Sequence, residues 1–190
     1  MSVLVVVKKN GRAAIAADSL NTIGDLAVSA ENKEQPEKLR RIPGGFVGLV
    51  GWSAFDNILD SVLVNYPDLF HFANAGELYR ALMQLHQVMK EHYFVTPYEE
   101  GAQPVESSQL DGLIAHRSGI FGFTSYRHVL DFSRYWAKGS GRDYALGALH
   151  VLFDRYKNAG DIARAAVETA CAYDVRCAAP VHVHTLKLQG

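Results

Sequence analysis

The sequence predicts an α+β layered domain, with helices on the outer faces of packed sheets. Three observations point there: two hairpin signals close to the start, helices that come in pairs, and strands that come in groups. A βαβ repeat would alternate single strands with single helices, and this chain does not. At 190 residues, 48% of them hydrophobic, there is enough apolar material for one sizeable core, so one domain over 1–190 is expected.

Residues 3–7 (VLVVV) are apolar throughout, which fits a strand buried on both faces. Asn10-Gly11 then signals a type I′ hairpin turn, which needs positive φ at both central positions. Residues 12–18 (RAAIAAD) return as the second strand, and residues 19–36 are polar and loop-like, ending at Pro36. Residues 38–42 (KLRRI) and 45–50 (GFVGLV) form a second hairpin around Pro43-Gly44, which suits a type II turn.

Ser53 is placed to cap a helix over 54–65, stopped before Pro67. Leu78, Leu82, Leu85, Val88 and Met89 at helical spacing predict a second helix over 75–94. The stretch 96–109 is rich in Pro, Gly, Glu and Ser and reads as an exposed loop. Short strands follow across 111–136. After Gly139-Ser140-Gly141, helices are predicted over 143–157 and 161–173, and the alternating tail 181–188 (VHVHTLKL) predicts a last strand.

Hairpin geometry brings specific residues together. With a two-residue turn at Asn10-Gly11, facing residues sum to 21, so Val3 faces Asp18 and Ser2 lies beside it. Strict alternation would aim the Asp18 and Ser2 side chains at opposite faces, so a strand end or bulge must re-aim one of them. With Pro43-Gly44 as the second turn, Lys38 faces Leu49, next to Gly48.

These residues suit one chemistry. Ser2 becomes N-terminal if Met1 is removed, as is usual before a small residue. An N-terminal serine carries both a nucleophilic hydroxyl and its own base, because an α-amine has a reference pKa of about 7.7–8.0. A nearby lysine would favour charge developing on the hydroxyl oxygen, and that lysine needs a carboxylate if it is buried. Lys38 and Asp18 are the candidates. Lys33 is a weaker second choice, because no strand follows it. A glycine N–H, with no side chain to obstruct approach, would serve the oxyanion, and Gly48 is the candidate.

The ordered set S-V-L-V-V-V-K-K-N-G-R-A-A-I-A-A-D, D-S-L-N-T, E-K-L-R-R-I, G-L-V-G-W-S-A and G-S-G-R-D-Y-A-L-G-A-L resembles proteasome β subunits and the bacterial HslV peptidase over almost the whole chain. The resemblance implies a four-layer αββα sandwich, peptide hydrolysis by an N-terminal nucleophile, stacked homo-oligomeric rings and no catalytic metal or cofactor. It assigns Ser2 as nucleophile, Asp18 and Lys38 as its charged support, Gly48 as oxyanion donor and Thr22 as a backbone contact to peptide or unfolded-protein substrate. It places Ser140 near the nucleophile, with Asp174 behind it. The absence of a propeptide makes the chain look more like HslV or the betaproteobacterial proteasome homologue than a eukaryotic β subunit. The chain departs from the pattern in that Ser2 stands where the family has Thr, Cys177 where it has Ser, and Lys38 lies four residues later, relative to Ser2, than the lysine of the HslV pattern.

Plainer readings stand beside these. Asp18 can end a strand, Lys38 can belong to a solvated basic group with Arg40 and Arg41, and Gly48 can be a packing glycine. Ser140 and Asp174 can be turn and cap residues. Trp52 and Phe55 can line a specificity pocket or simply pack in the core. His182 and His184 alternate on one strand face, but no third ligand lies at a familiar metal spacing. A net charge of −1 argues against nucleic-acid or anionic-membrane partners, and no apolar run approaches the ~20 residues that span a bilayer. Cys171 and Cys177 lack a disulfide framework and fit free thiols in a cytoplasmic protein. The expectation is a cytoplasmic peptidase ring, with an ATPase partner left open. A catalytically silent ring or scaffold of the same fold, or an amidase acting on a small molecule, are the alternatives.

Overall fold

The computed structural model describes residues 2–97 and 103–189. Met1, and with it the expected removal of that residue, lies outside them, as does the centre of the predicted 96–109 loop.

Strands β1 (Val3–Lys9) and β2 (Arg12–Ala17) form the first hairpin. Leu4 pairs with Ala17 and Lys9 with Arg12, the register the two-residue turn dictates. Asn10 and Gly11 both take positive φ, at 50° and 71°. Residues 19–36 are more ordered than a loop: β3 (Asn21–Ile23) and β4 (Leu26–Val28) make a small separate hairpin. Its side chains are half-buried or exposed, so no burial pattern marks it in the sequence. The second long hairpin is β5 (Leu39–Ile42) and β6 (Gly45–Val50), again in the expected register, with Ile42 opposite Gly45.

Helix α1 spans Ala54–Asn65. Ser53 stands at its start, but its side chain makes no capping hydrogen bond, contrary to the sequence reading. Helix α2 spans Ala75–His92 and stops two residues short of the predicted end, just before Phe94 at φ 55°. Asn74 caps it by accepting from the Glu77 N–H. Strands β7 (Asp111–His116), β8 (Gly119–Phe123), β9 (Val129–Phe132) and β10 (Tyr135–Gly139) follow. Helices α3 (Arg142–Arg155) and α4 (Ala159–Tyr173) come next, then β11 (His182–Lys187).

Two main sheets result, in the orders β10-β1-β2-β11 and β5-β6-β7-β8-β9. Three apolar clusters cement four layers. Val3, Val5 and Val7 pack with Ala163, Ala166 and Val167 of α4 and with Leu149 of α3. Leu4, Val6 and Ile15 point the other way, onto Leu39, Leu113 and Ile120 of the second sheet. The far face of that sheet, through Val47, Ile114 and Phe121, packs on Leu59 of α1 and on Leu78, Leu82 and Met89 of α2. The fold is therefore an αββα sandwich. The uninterrupted apolar run of β1 is explained by its position, since one face meets helices and the other meets a sheet. Leu4 and Ile15 are fully buried, and each stabilises the fold by about 1.5–3 kcal/mol. No helix among the described residues is long and apolar enough to cross a membrane.

Candidate active site

The site forms where β1 begins, β2 ends and β5 begins. Because β2 stops at Ala17, Asp18 is released from strand alternation. Its Oδ1 accepts from the Val3 N–H at 3.0 Å, and its Oδ2 accepts from the Leu20 N–H at 3.0 Å and the Ala178 N–H at 3.4 Å. The strand end thus does the re-aiming that alternation required. Asp18 has no solvent exposure.

Lys38, just ahead of β5, reaches the same point from the other sheet. Its Nζ donates to Asp18 Oδ1 at 2.9 Å and to Ser2 Oγ at 3.0 Å. Ser2 and Lys38 are each only 6% exposed, so this chain of contacts is largely shielded from water. Such shielding strengthens the charge–dipole interaction with the serine oxygen.

Ser140 and Asp174 approach from the α3–α4 side. Ser140 Oγ donates to the Ser2 carbonyl oxygen at 3.4 Å. Asp174 ends α4 and accepts from the Arg176 N–H at 3.0 Å and from the Cys177 thiol at 3.4 Å. Burial pushes the Asp174 carboxyl up, but the hydrogen bonds from the Ser140 hydroxyl, the Arg176 N–H and the Cys177 thiol leave it below its usual value. Burial, with the nearby Asp18 charge, pushes both thiols up, Cys171 to about 11, which leaves little thiolate at neutral pH. Both cysteines are free, Cys171 within α4 and Cys177 beyond its end.

Gly48 does not line the small pocket at Ser2. It sits mid-strand in β6, paired with Leu39 on one side and Leu113 on the other, so its N–H belongs to the sheet. A Cβ there would lie 2.9 Å from side-chain carbons of both Leu4 and Leu39, so the glycine lets the two sheets approach. Gly51, three residues on, lies beside Ser2. It lines a pocket of about 10 Å³, room for roughly one water, with Ser2, Asn21, Lys38, Ser53 and Asp56. Its φ of 114° is open to glycine, and nothing lies within 4 Å of where a Cβ would be. The clue available in the sequence was its position between the end of an apolar strand and the start of a helix.

Thr22 is not among the residues lining that small pocket but lies along a groove of about 600 Å³ with Ile23, Gly24, Gly51, Trp52 and Ser53. Trp52 is exposed on that groove, whereas Phe55 is buried in the core. Lys33 also reaches the site's edge, donating to the Ser19 carbonyl at 2.6 Å and to Asn21 Oδ1 at 3.1 Å. Of the two histidines on β11, His182 Nδ1 lies 3.0 Å from Ser19 Oγ and His184 pairs with Glu37. No cluster of potential metal ligands occurs among the described residues.

Gly139 guards the geometry of the Ser2 backbone. It pairs with Val3, has a φ of 97°, and a Cβ there would fall 2.0 Å from the Ser2 carbonyl oxygen. Gly139→Ala should shift the start of β1 and lower kcat/KM by about 100-fold or more, since an ångström of misplacement costs that much. Peptide kinetics beside a thermal melt would check it, and unchanged kinetics would show that Ser2 tolerates displacement.

No protein-family model matches the chain. The ATP-dependent protease subunit HslV of Caulobacter sp. (strain K31) is 30% identical over 185 residues, covering 90% of this chain and 87% of that protein. The same subunit of Caulobacter vibrioides is similar to the same extent. Among solved structures, Thiobacillus denitrificans BPH in complex with epoxomicin superposes with a TM-score of 0.91 at 32% identity, over 99% of this chain and 100% of that one. Thiobacillus denitrificans BPH described without a ligand gives 0.91 at 31%, over 98% of each chain. The eukaryotic HslV from Trypanosoma brucei, at 22% identity over 97% of this chain and 99% of its own, shares the fold with a TM-score of 0.70. With 30% identity sustained across nine-tenths of its length on the same αββα sandwich, the chain belongs to the HslV/proteasome-like family of N-terminal-nucleophile hydrolases.

Proposed function

We propose that the protein hydrolyses peptide bonds with Ser2 as nucleophile, once Met1 has been removed, inside a ring of its own copies. The observation that carries this reading is the contact of Lys38 Nζ with both Ser2 Oγ, at 3.0 Å, and Asp18, at 2.9 Å. A buried lysine directed at a serine hydroxyl and held by a buried carboxylate has little purpose in a scaffold.

In this mechanism Ser2 Oγ attacks the scissile carbonyl carbon while the hydroxyl proton passes to the α-amine, directly or through a water. The positive charge of Lys38 stabilises the developing charge on Oγ, and Asp18 keeps Lys38 in place. The Gly51 N–H, rather than that of Gly48, stabilises the tetrahedral oxyanion. The C–N bond then breaks, the leaving amine takes the proton, and an ester to Ser2 remains. Water, activated by the same α-amine, attacks that ester, and the acid product leaves with Ser2 restored. Ser140 and Asp174 hold the Ser2 backbone. The peptide lies extended along β3, whose second edge has no partner strand among the described residues, with Thr22 as a backbone contact. The Caulobacter relatives are named subunits of an ATP-dependent protease. For this chain the reading is of stacked homo-oligomeric rings, served by an ATPase.

Intact mass of the untagged protein, before and after incubation with a peptide epoxyketone, tests the reading. The expected result is a chain lacking methionine that gains one inhibitor per subunit. Retained methionine with no adduct would sink the mechanism and favour a silent ring. A reactive Ser2 in a monomer that cleaves only small amides would favour the amidase.

A further inference from the structure

Beside Ser2 opens a second cleft, of about 260 Å³, lined almost entirely by polar side chains. Asn21, Lys38, Ser53 and Asp56 line both it and the small pocket at Ser2, so a side chain next to the scissile bond can enter it. Most of its charges are already matched. Lys38 is held by Asp18, Arg40 by a two-pronged contact to Asp60, and Glu37 by His184. Two remain. Lys33 spends its amine on two neutral acceptors, the Ser19 carbonyl and Asn21 Oδ1. The half-buried Asp56 carboxylate accepts no hydrogen bond and closes no ion pair with any described residue. Burial raises the Asp56 carboxyl above its usual value in spite of Arg40, Lys38 and Lys33 nearby. Burial, and then the Lys38 charge, lowers Lys33.

The cleft therefore presents an unmatched acceptor and a partly matched donor without an ion pair between them. A ligand that fits must be neutral overall, with an N–H to give Asp56 and an oxygen to take from Lys33. An apolar side chain would desolvate both charges without compensation. An acidic one would meet Asp56, and a basic one would meet Lys33 and Arg40. We infer that this cleft is the specificity pocket and that it selects a neutral carboxamide, glutamine or asparagine, immediately before the scissile bond, with Asp56 and Lys33 as the specificity-determining residues. This inference rests on the peptidase reading above and adds the substrate class.

Fluorogenic peptides identical except for Gln, Asn, Leu, Lys or Glu before the cleaved bond would test it on the assembled enzyme. The carboxamide substrates should show the highest kcat/KM. Asp56→Leu and Lys33→Met should each lower the Gln-to-Leu ratio by about 10–100-fold, the worth of one hydrogen bond to a charged group. Because the ratio is internal to each variant, a general loss of activity does not mimic the effect, and the second variant covers a folding failure in the first. Leucine or lysine preferred over glutamine, or an unmoved ratio in both variants, overturns the inference while leaving the peptidase intact. Absence of all cleavage together with absence of an epoxyketone adduct overturns both.

Discussion

Ser2→Ala should reduce peptide hydrolysis by about 10⁴-fold or more and abolish the epoxyketone adduct. The size of the effect follows from the chemistry, because without Oγ no covalent intermediate can form and what remains is binding and oxyanion stabilisation. The fold should survive. The hydroxyl accepts from Lys38 at 3.0 Å, but Lys38 keeps its contact with Asp18 at 2.9 Å, so no buried charge is stranded. The stability cost should stay near 1 kcal/mol. Ser2→Thr keeps the hydroxyl and should keep hydrolysis, which separates loss of the nucleophile from disturbance of the strand end. Matched unfolding curves with collapsed kcat/KM for the alanine variant alone are the expected pattern. An alanine variant that cleaves as well as the parent would move the chemistry away from Ser2.

Much of this site was legible because hairpin register is a local property. Asn10-Gly11 sets the pairing that leads back to Val3 and Asp18, and Pro43-Gly44 sets the one that starts next to Lys38. What register does not reveal is how one sheet packs on another. Lys38 meets Asp18 only because Leu4 and Ile15 of the first sheet pack on Leu39 and Leu113 of the second. The resemblance supplied that pairing, and local geometry alone could not. Gly48 was singled out by spacing from Lys38, yet both its neighbours in the sheet are strands. The proposed oxyanion donor, Gly51, lies past the end of β6 at the turn into α1 and lines the pocket at Ser2. The β3–β4 hairpin stayed hidden for a different reason: three-residue strands with exposed side chains leave no alternation to read.

The second large effect is on stability, and it divides the Lys38–Asp18 pair unequally. Asp18 accepts from Lys38 and from three backbone N–H groups, those of Val3, Leu20 and Ala178. Asp18→Ala removes all four acceptor contacts at once. It leaves the Lys38 charge, 6% exposed, with the Ser2 hydroxyl as its remaining contact in the site. Breaking a buried pair in this way costs about 3–5 kcal/mol, and the released N–H groups add to it. Lys38→Met is gentler. The stem stays apolar, and the Asp18 carboxylate keeps its three backbone donors, so the fold should lose about 1–2 kcal/mol while hydrolysis falls steeply. Urea unfolding of both variants beside peptide kinetics would check the asymmetry. Asp18→Ala should unfold at much lower urea, and Lys38→Met should be inactive yet nearly as stable as the parent. Equal destabilisation by the two would mean that the pair acts as a plain structural bridge. The same result would weaken the case that Lys38 is held in place for the sake of Ser2.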